Sequence, residues 1–292
     1  IPSQMATAIV GLKRLRREYG GNRLRFNTIK MFMDGINENR SAGMIDTYSD
    51  DETYESTTMF SAAELAEFLL QLNEEKLDLH IHAIGDLAVR TALDGVEVAR
   101  AEAGENWGTR VTIGHLELID PEDWPRFGEL GVSANFTPWW HGDDEPSVVK
   151  PALGPERAAR TYTAKPLFDS GGNVTFSSDD WRLDVLSPFL GMQVGHTRKY
   201  PSEWAIEAGN DPDVFRPPTS EMLDLELMIK GYTINGAWPF RMEDDIGSIE
   251  AGKLADLVVL DDDLFSVSAD DIHKIEPTAV VMEGQLIHGT LP

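Results

Sequence analysis

The segment Asp78-Leu-His-Ile-His-Ala-Ile-Gly-Asp86 holds two histidines two residues apart. In an extended strand, alternation sends Asp78, His80 and His82 to one face and Leu77, Leu79, Ile81 and Ala83 to the other. Neutral imidazoles are ligands for zinc and similar ions, so one reading is a two-histidine metal clamp at a strand mouth. The other is one ligand or none, with the second histidine hydrogen-bonded in the core. This segment alone weighs them equally. Lys30, His115 and Asp179 end three other strand-like runs. Thr28 and Lys30 share a polar face. Thr175, Ser177 and Asp179 share another, which favours Asp179 over Asp180 as the inward carboxylate. His115 is in phase with Val111 and Ile113, so its placement rests on its terminal position alone.

The elements that must position these groups alternate. Met5 to Tyr19 carries apolar residues at helical spacing, and Arg25 to Phe32 reads as a strand. A polar loop follows from Asp34 to about Met59. Ser61 with Glu64 makes a capping box, and Leu65, Phe68, Leu69 and Leu72 form one buried helical stripe. After the histidine strand come a helix from Asp86 to about Ala103, a strand at Val111 to His115, a helix at Pro121 to Leu130 and a strand at Val132 to Phe136. Helical stretches at Glu156 to Tyr162 and Ala164 to Ser170 precede a fifth strand, Asn173 to Ser178. Strands separated by helices imply parallel βαβ units. Tyr200 to Pro218 reads as a surface loop, and Glu221 to Asn235 as helical. The texture then changes: Ile249 to Leu260, and a hairpin over Ala279 to His288 turning at Glu283-Gly284, read as antiparallel. His273 and His288 fall in this last region, away from the chemistry.

The chain has 292 residues, 41% of them hydrophobic and 26% charged, as in an ordinary soluble globular protein. Fifty acidic against twenty-five basic residues give a formal charge of −25, which argues against nucleic acid and anionic membranes as partners. The acidic runs Asp50-Asp51-Glu52, Asp143-Asp144-Glu145 and Asp261-Asp262-Asp263 read as a solvated surface. No stretch approaches the roughly 18 apolar residues of a membrane span. No signal-peptide pattern is visible, and a cytoplasmic location is slightly favoured. The absence of cysteine excludes thiolate metal sites and a cysteine nucleophile, but does not fix the compartment.

Taken in order, Lys30-Met-Phe-Met-Asp-Gly35, His82-Ala-Ile-Gly-Asp86, Gly114-His-Leu-Glu117 and Ser178-Asp179 resemble the amidohydrolase superfamily. So does Ile246-Gly-Ser-Ile-Glu-Ala-Gly-Lys-Leu-Ala-Asp-Leu-Val-Val-Leu260. The nearest branch is the one containing N-substituted formamide deformylase and related metal-dependent hydrolases. The resemblance implies an α/β fold, a TIM-type (β/α)8 barrel in 1–245, with the C-terminal part of a small β-sandwich in 246–292. It implies Lys30, carboxylated in many members, His82, His115 and Asp179 as ligands of one or two divalent ions, zinc first. Asp179 would be the general base for metal-activated water that cleaves a C–N bond of an amide or formamide. Deaminase or cyclic-amidase chemistry on the same fold is the alternative, as is a degenerate non-catalytic member. Lys30 could instead be an ordinary lysine paired with Asp34. Asp34, Trp139, His141 and Arg157 are substrate-binding candidates for a small amide-like molecule, and a homo-oligomer is compatible with the sequence.

The chain departs from that family in one respect. Members carry a His-x-His strand at the start of the barrel, whereas no histidine precedes Lys30 here. Reading His80-Ile-His82 as that strand fails on counting, because only three further strands lead to Asp179. The expectation is therefore barrel strands four to eight with strands one to three missing. Such a C-terminal part of a longer enzyme would be unstable alone and hydrolyse little without the segment that completes the barrel.

Overall fold

The computed structural model describes residues 2–291 apart from 52, 55, 143–147 and 183–184. Glu52 and the Asp143–Glu145 run thus lie outside the described residues. Helix α1 (Pro2–Tyr19) precedes strand β1 (Thr28–Phe32). Then follow α2 (Ala62–Glu74), β2 (Asp78–Ala83), α3 (Asp86–Ala103), β3 (Val111–His115), α4 (Trp124–Leu130) and β4 (Ser133–Phe136). Next come α5 (Val149–Ala158), α6 (Lys165–Asp169) and β5 (Asn173–Phe176). These strands form one sheet in sequence order, β1-β2-β3-β4-β5. β1 pairs parallel with β2, and β2 with β3. This is an α/β fold with a parallel sheet.

By packing, the chain divides into two compact units. One comprises Ile1–Ala134, Val148–Pro155 and Ser170–Asn173; the other comprises Asn135–Ser147, Glu156–Asp169 and Val174–Pro292. In the first unit, α2 starts on its capping box: the Ser61 hydroxyl accepts from the Glu64 N–H, and the Glu64 carboxylate accepts from the Ser61 N–H. Its buried stripe is Leu65, Ala66, Phe68, Leu69 and Leu72. The loop expected between Asp34 and Met59 is present and well anchored. Ser49 Oγ donates to Leu153 O at 3.0 Å and Tyr48 Oη to Asn37 Oδ1 at 3.0 Å, with Tyr48 fully buried.

The second unit holds α7 (Pro188–Thr197), α8 (Ser202–Glu207), α9 (Leu225–Tyr232), α10 (Ile234–Ala237) and an antiparallel sheet of β6 (Leu257–Leu260), β7 (Pro277–Met282) and β8 (Gln285–Gly289). The hairpin turns where expected, with Glu283 at φ 50° and Gly284 at φ 77°, the paired left-handed residues of a type I′ turn. Two expectations need correction, and one helix was not anticipated. Tyr200 to Pro218 is no plain surface loop: it contains α8 and the buried Arg216, which donates twice to Gly142 O. The helix expected at 156–162 instead spans Val149–Ala158, kinked at Gly154 (φ 74°), because glycine followed by proline hid its earlier start. Finally, α7 was not visible in the sequence. Its residues 190–195 are all buried, so it presents no apolar stripe against a polar one.

Candidate functional site

Register sets the first unit's site. Lys30, His80 and Thr112 stand abreast on neighbouring strands, and Phe32, His82 and Gly114 form the next row. The opposite face of β2, with Leu79, Ile81 and Ala83, is fully packed. Gly114 is where His80 needs space: a Cβ there would lie 2.6 Å from His80 Nε2. His80 thus lies over the neighbouring strand.

His115 is the residue whose placement alternation could not supply. It pairs with Ala83, whose side chain belongs to the opposite face from His82. Yet its ring lies 4.4 Å from that of His82, and its Nε2 lies 3.5 Å from Lys30 Nζ. The backbone resolves the conflict. His115 has φ 76° and Leu116 φ 55°, so the chain turns left-handed as the strand ends and re-aims the imidazole across the sheet. A non-glycine residue at positive φ stores strain of order 1 kcal/mol, a feature that concentrates at functional sites.

Electrostatics leave His80 and His115 neutral. Burial, and then the neighbouring charges of His82 and Lys30, push His115 down to about 3. Burial and Lys30 likewise push His80 down to about 4. His82 Nε2 lies 2.9 Å from Gly35 O, which accepts only if that nitrogen carries the proton. That contact leaves Nδ1 as the nitrogen turned away from the carbonyl, which fixes the ring as backbone carbonyls do for metal-ligating histidines.

Asp34 organises the surroundings. Its carboxylate is buried and accepts from the N–H groups of Gly43 (2.9 Å), Ile84 (3.0 Å) and Gly85 (2.9 Å), with His82 Nε2 at 3.6 Å. Burial raises its pKa against these hydrogen bonds, which lower it. At 1% exposure it is a strut between the β1 and β2 ends.

The other candidates lie in the second unit or at its border. Asp179 is exposed and has φ 46°, beyond the end of β5 at Phe176, so strand alternation does not reach it. The argument that preferred it to Asp180 by parity therefore falls. Asp180 is engaged in its own turn, accepting from the N–H groups of Trp181 (2.7 Å) and Arg182 (2.9 Å) and from Arg182 Nε (3.0 Å). Trp139 is half-buried and donates from Nε1 to Ser178 O at 2.8 Å. His141 is 1% exposed and stacks on Tyr162 at 5.2 Å. Burial, with the Arg198 and Arg216 charges, holds its pKa well below the usual histidine range. Arg157 is half-buried near the end of α5. His273 has its Nδ1 2.6 Å from Gln193 Oε1 and its Nε2 2.7 Å from Glu203 Oε1.

Among the described residues, no three histidines, aspartates or glutamates meet in a metal-ligating arrangement. What the first unit does bring together is two imidazoles and a lysine. Imidazoles, when neutral, suit a divalent cation. The Lys30 ammonium, 3.5 Å from His115 Nε2, suits one only once its charge is removed. The donor set fits a metal on that condition. Sequence reasoning missed the parts played by Gly114 and by Asp34; Gly114-His115 at a strand end was the available signal for the first.

Known proteins give the same direction. The chain is 26% identical to YtcJ of Bacillus subtilis (strain 168), covering 92% of this chain and 48% of that protein. It is 23% identical to the N-substituted formamide deformylase of Arthrobacter pascens, covering 90% and 46%. Among solved structures, an uncharacterised metal-dependent hydrolase from Pyrococcus horikoshii OT3 matches with a TM-score of 0.70 and 25% identity, over 89% of this chain and 50% of that one. The chain thus spans about half the length of these relatives. Amidohydrolase-family sequence signatures run through residues 3–288, nearly its whole length, and the chain belongs to the amidohydrolase family.

Proposed function

We propose that this chain carries part of the active site of a metal-dependent hydrolase that cleaves a C–N bond of amide or formamide type with water. The observation that carries the reading is His115, turned out of strand phase by a left-handed backbone to meet His82 and Lys30. In the proposal β1 to β5 serve as strands four to eight of a (β/α) barrel, and 246–292 closes a small β-sandwich. Family membership and the Pyrococcus horikoshii structure support that arrangement.

Lys30, as a carbamate, would hold zinc together with His82 and His115, and Asp179 is the general base that the family resemblance implies. A divalent cation there supplies carbonyl polarisation and a more acidic water. The chain's own groups do the rest. Gly35 O orients His82, and Asp34 ties the loop bearing Gly35 to the end of β2. Asp179 Oδ takes one proton from water as its oxygen adds to the carbonyl carbon. It returns that proton to the nitrogen as the C–N bond breaks, so the products are an acid and an amine.

Metal uptake tests this directly. The 292-residue chain, freed of metal and titrated with Co2+ or Zn2+ in bicarbonate buffer, should bind with a cobalt d–d spectrum showing nitrogen ligation. His82→Ala and His115→Ala should each weaken binding at least tenfold. A chain that takes up neither ion, or variants that bind like the parent, overturns the assignment. Screening N-formyl and N-acyl compounds then separates amide hydrolysis from deamination.

A further inference from the structure

The second unit contains a cavity of about 500 Å3 with three aromatic walls: Trp139, Tyr200 and Trp204. Cavities of this size hold small molecules or one large substituent. Its walls are fixed before anything binds. All three rings pack on the buried cluster of Val185, Leu190 and Val194. Tyr200 sits so close to Gly142 that a Cβ there would lie 2.9 to 3.0 Å from its ring atoms. Trp139 is pinned by its bond to Ser178 O. Arg182 lies over the Trp139 ring at 5.5 Å, extending its flat face.

The cavity also adjoins Asp179 on both sides in sequence. Ser178 holds one wall, and Asp180 holds Arg182 through Nε at 3.0 Å. Charge disfavours an anionic guest. Arg182 is balanced by Asp180, and the exposed Glu207 also lines the cavity. The walls therefore favour a flat apolar group over a carboxylate.

We infer that this cavity binds an aromatic substituent of the substrate. The inference rests on the hydrolase reading for the bond that is cut, but not for binding.

Binding is measured on the full 292-residue chain in EDTA, by 19F line broadening of N-[2-(4-fluorophenyl)ethyl]acetamide against N-(2-fluoroethyl)acetamide. The aromatic amide should bind at least tenfold more tightly, since burying a ring of ~100 Å2 is worth that or more. Trp204→Ala, which removes a wall, should weaken it at least fivefold. Ala208→Trp, which leaves the walls and fills the space, should do the same, and it decides the matter if the first variant unfolds. Equal affinity for the two amides, or parent-like binding in a folded Ala208→Trp variant, overturns the inference. So does tighter binding of the ring-carboxylated analogue. None of these results bears on metal uptake, so failure here leaves the hydrolase reading standing.

Discussion

His115 shows how much one dihedral can decide. Periodicity placed His82 on the polar face of its strand, because alternation needs only the order of residue types. It could not place His115, since the sign of φ leaves no periodic trace. The same angle gives a comparison between variants. Alanine at φ 76° carries a backbone cost that glycine does not, about 1 kcal/mol. His115→Gly should therefore be more stable than His115→Ala by that amount in urea unfolding, although both lose the imidazole. Equal stabilities would mean the left-handed turn relaxes when the ring goes. The hydrogen bonds of Asp34 were equally illegible, because its partners are nine, fifty and fifty-one residues away. Asp34→Ala should cost about 3 kcal/mol or more, as it leaves three amide groups without their acceptor. A loss below 1 kcal/mol would show that water replaces the carboxylate.

Elements were legible wherever local chemistry was complete. The Ser61–Glu64 box fixed the start of α2, and Glu283-Gly284 fixed the last hairpin. Both signals lie within four residues of chain. By contrast, α7 is buried nearly all round, and α8 lies in a stretch rich in proline and aspartate, so neither offered a polar-apolar contrast. The hairpin provides the cleaner test. Gly284 has φ 77° with open space where a Cβ would go, so Gly284→Ala probes backbone conformation alone. It should lower stability by about 1 kcal/mol through the turn. An unchanged melting midpoint would show that β7 and β8 separate before the unit unfolds.

Across the whole molecule, the buried histidines set an acid limit. His115 is depressed to about 3, His80 to about 4, and His141 well below the usual range, each chiefly by burial. Unfolded, all three take up protons near 6.5. As pH falls below that value the unfolded chain binds protons that the native chain refuses, so native stability falls. The slope is up to about 1.4 kcal/mol per pH unit for each histidine. Asp34, whose pKa is raised, opposes this at the acid end. His141→Phe should remove one proton from the slope between pH 6 and 5 while keeping the stack on Tyr162. A slope unchanged by the substitution would show that His141 is reached by water. The same unit of chain that carries Asp34 has a kinetic consequence. Gly43 O accepts from Leu87 N (2.9 Å) and Ala88 N (3.2 Å) at the start of α3, and Ile45 N donates to Asp86 Oδ1 at 2.8 Å. A glycine is also required at 85, where a Cβ would meet Gly43 O at 2.2 Å. The loop is therefore stitched to a helix end, and it opens only when that end frays. In hydrogen–deuterium exchange, the amides of Gly43, Ile45, Gly85 and Leu87 should lose protection together, at the pace of the helix.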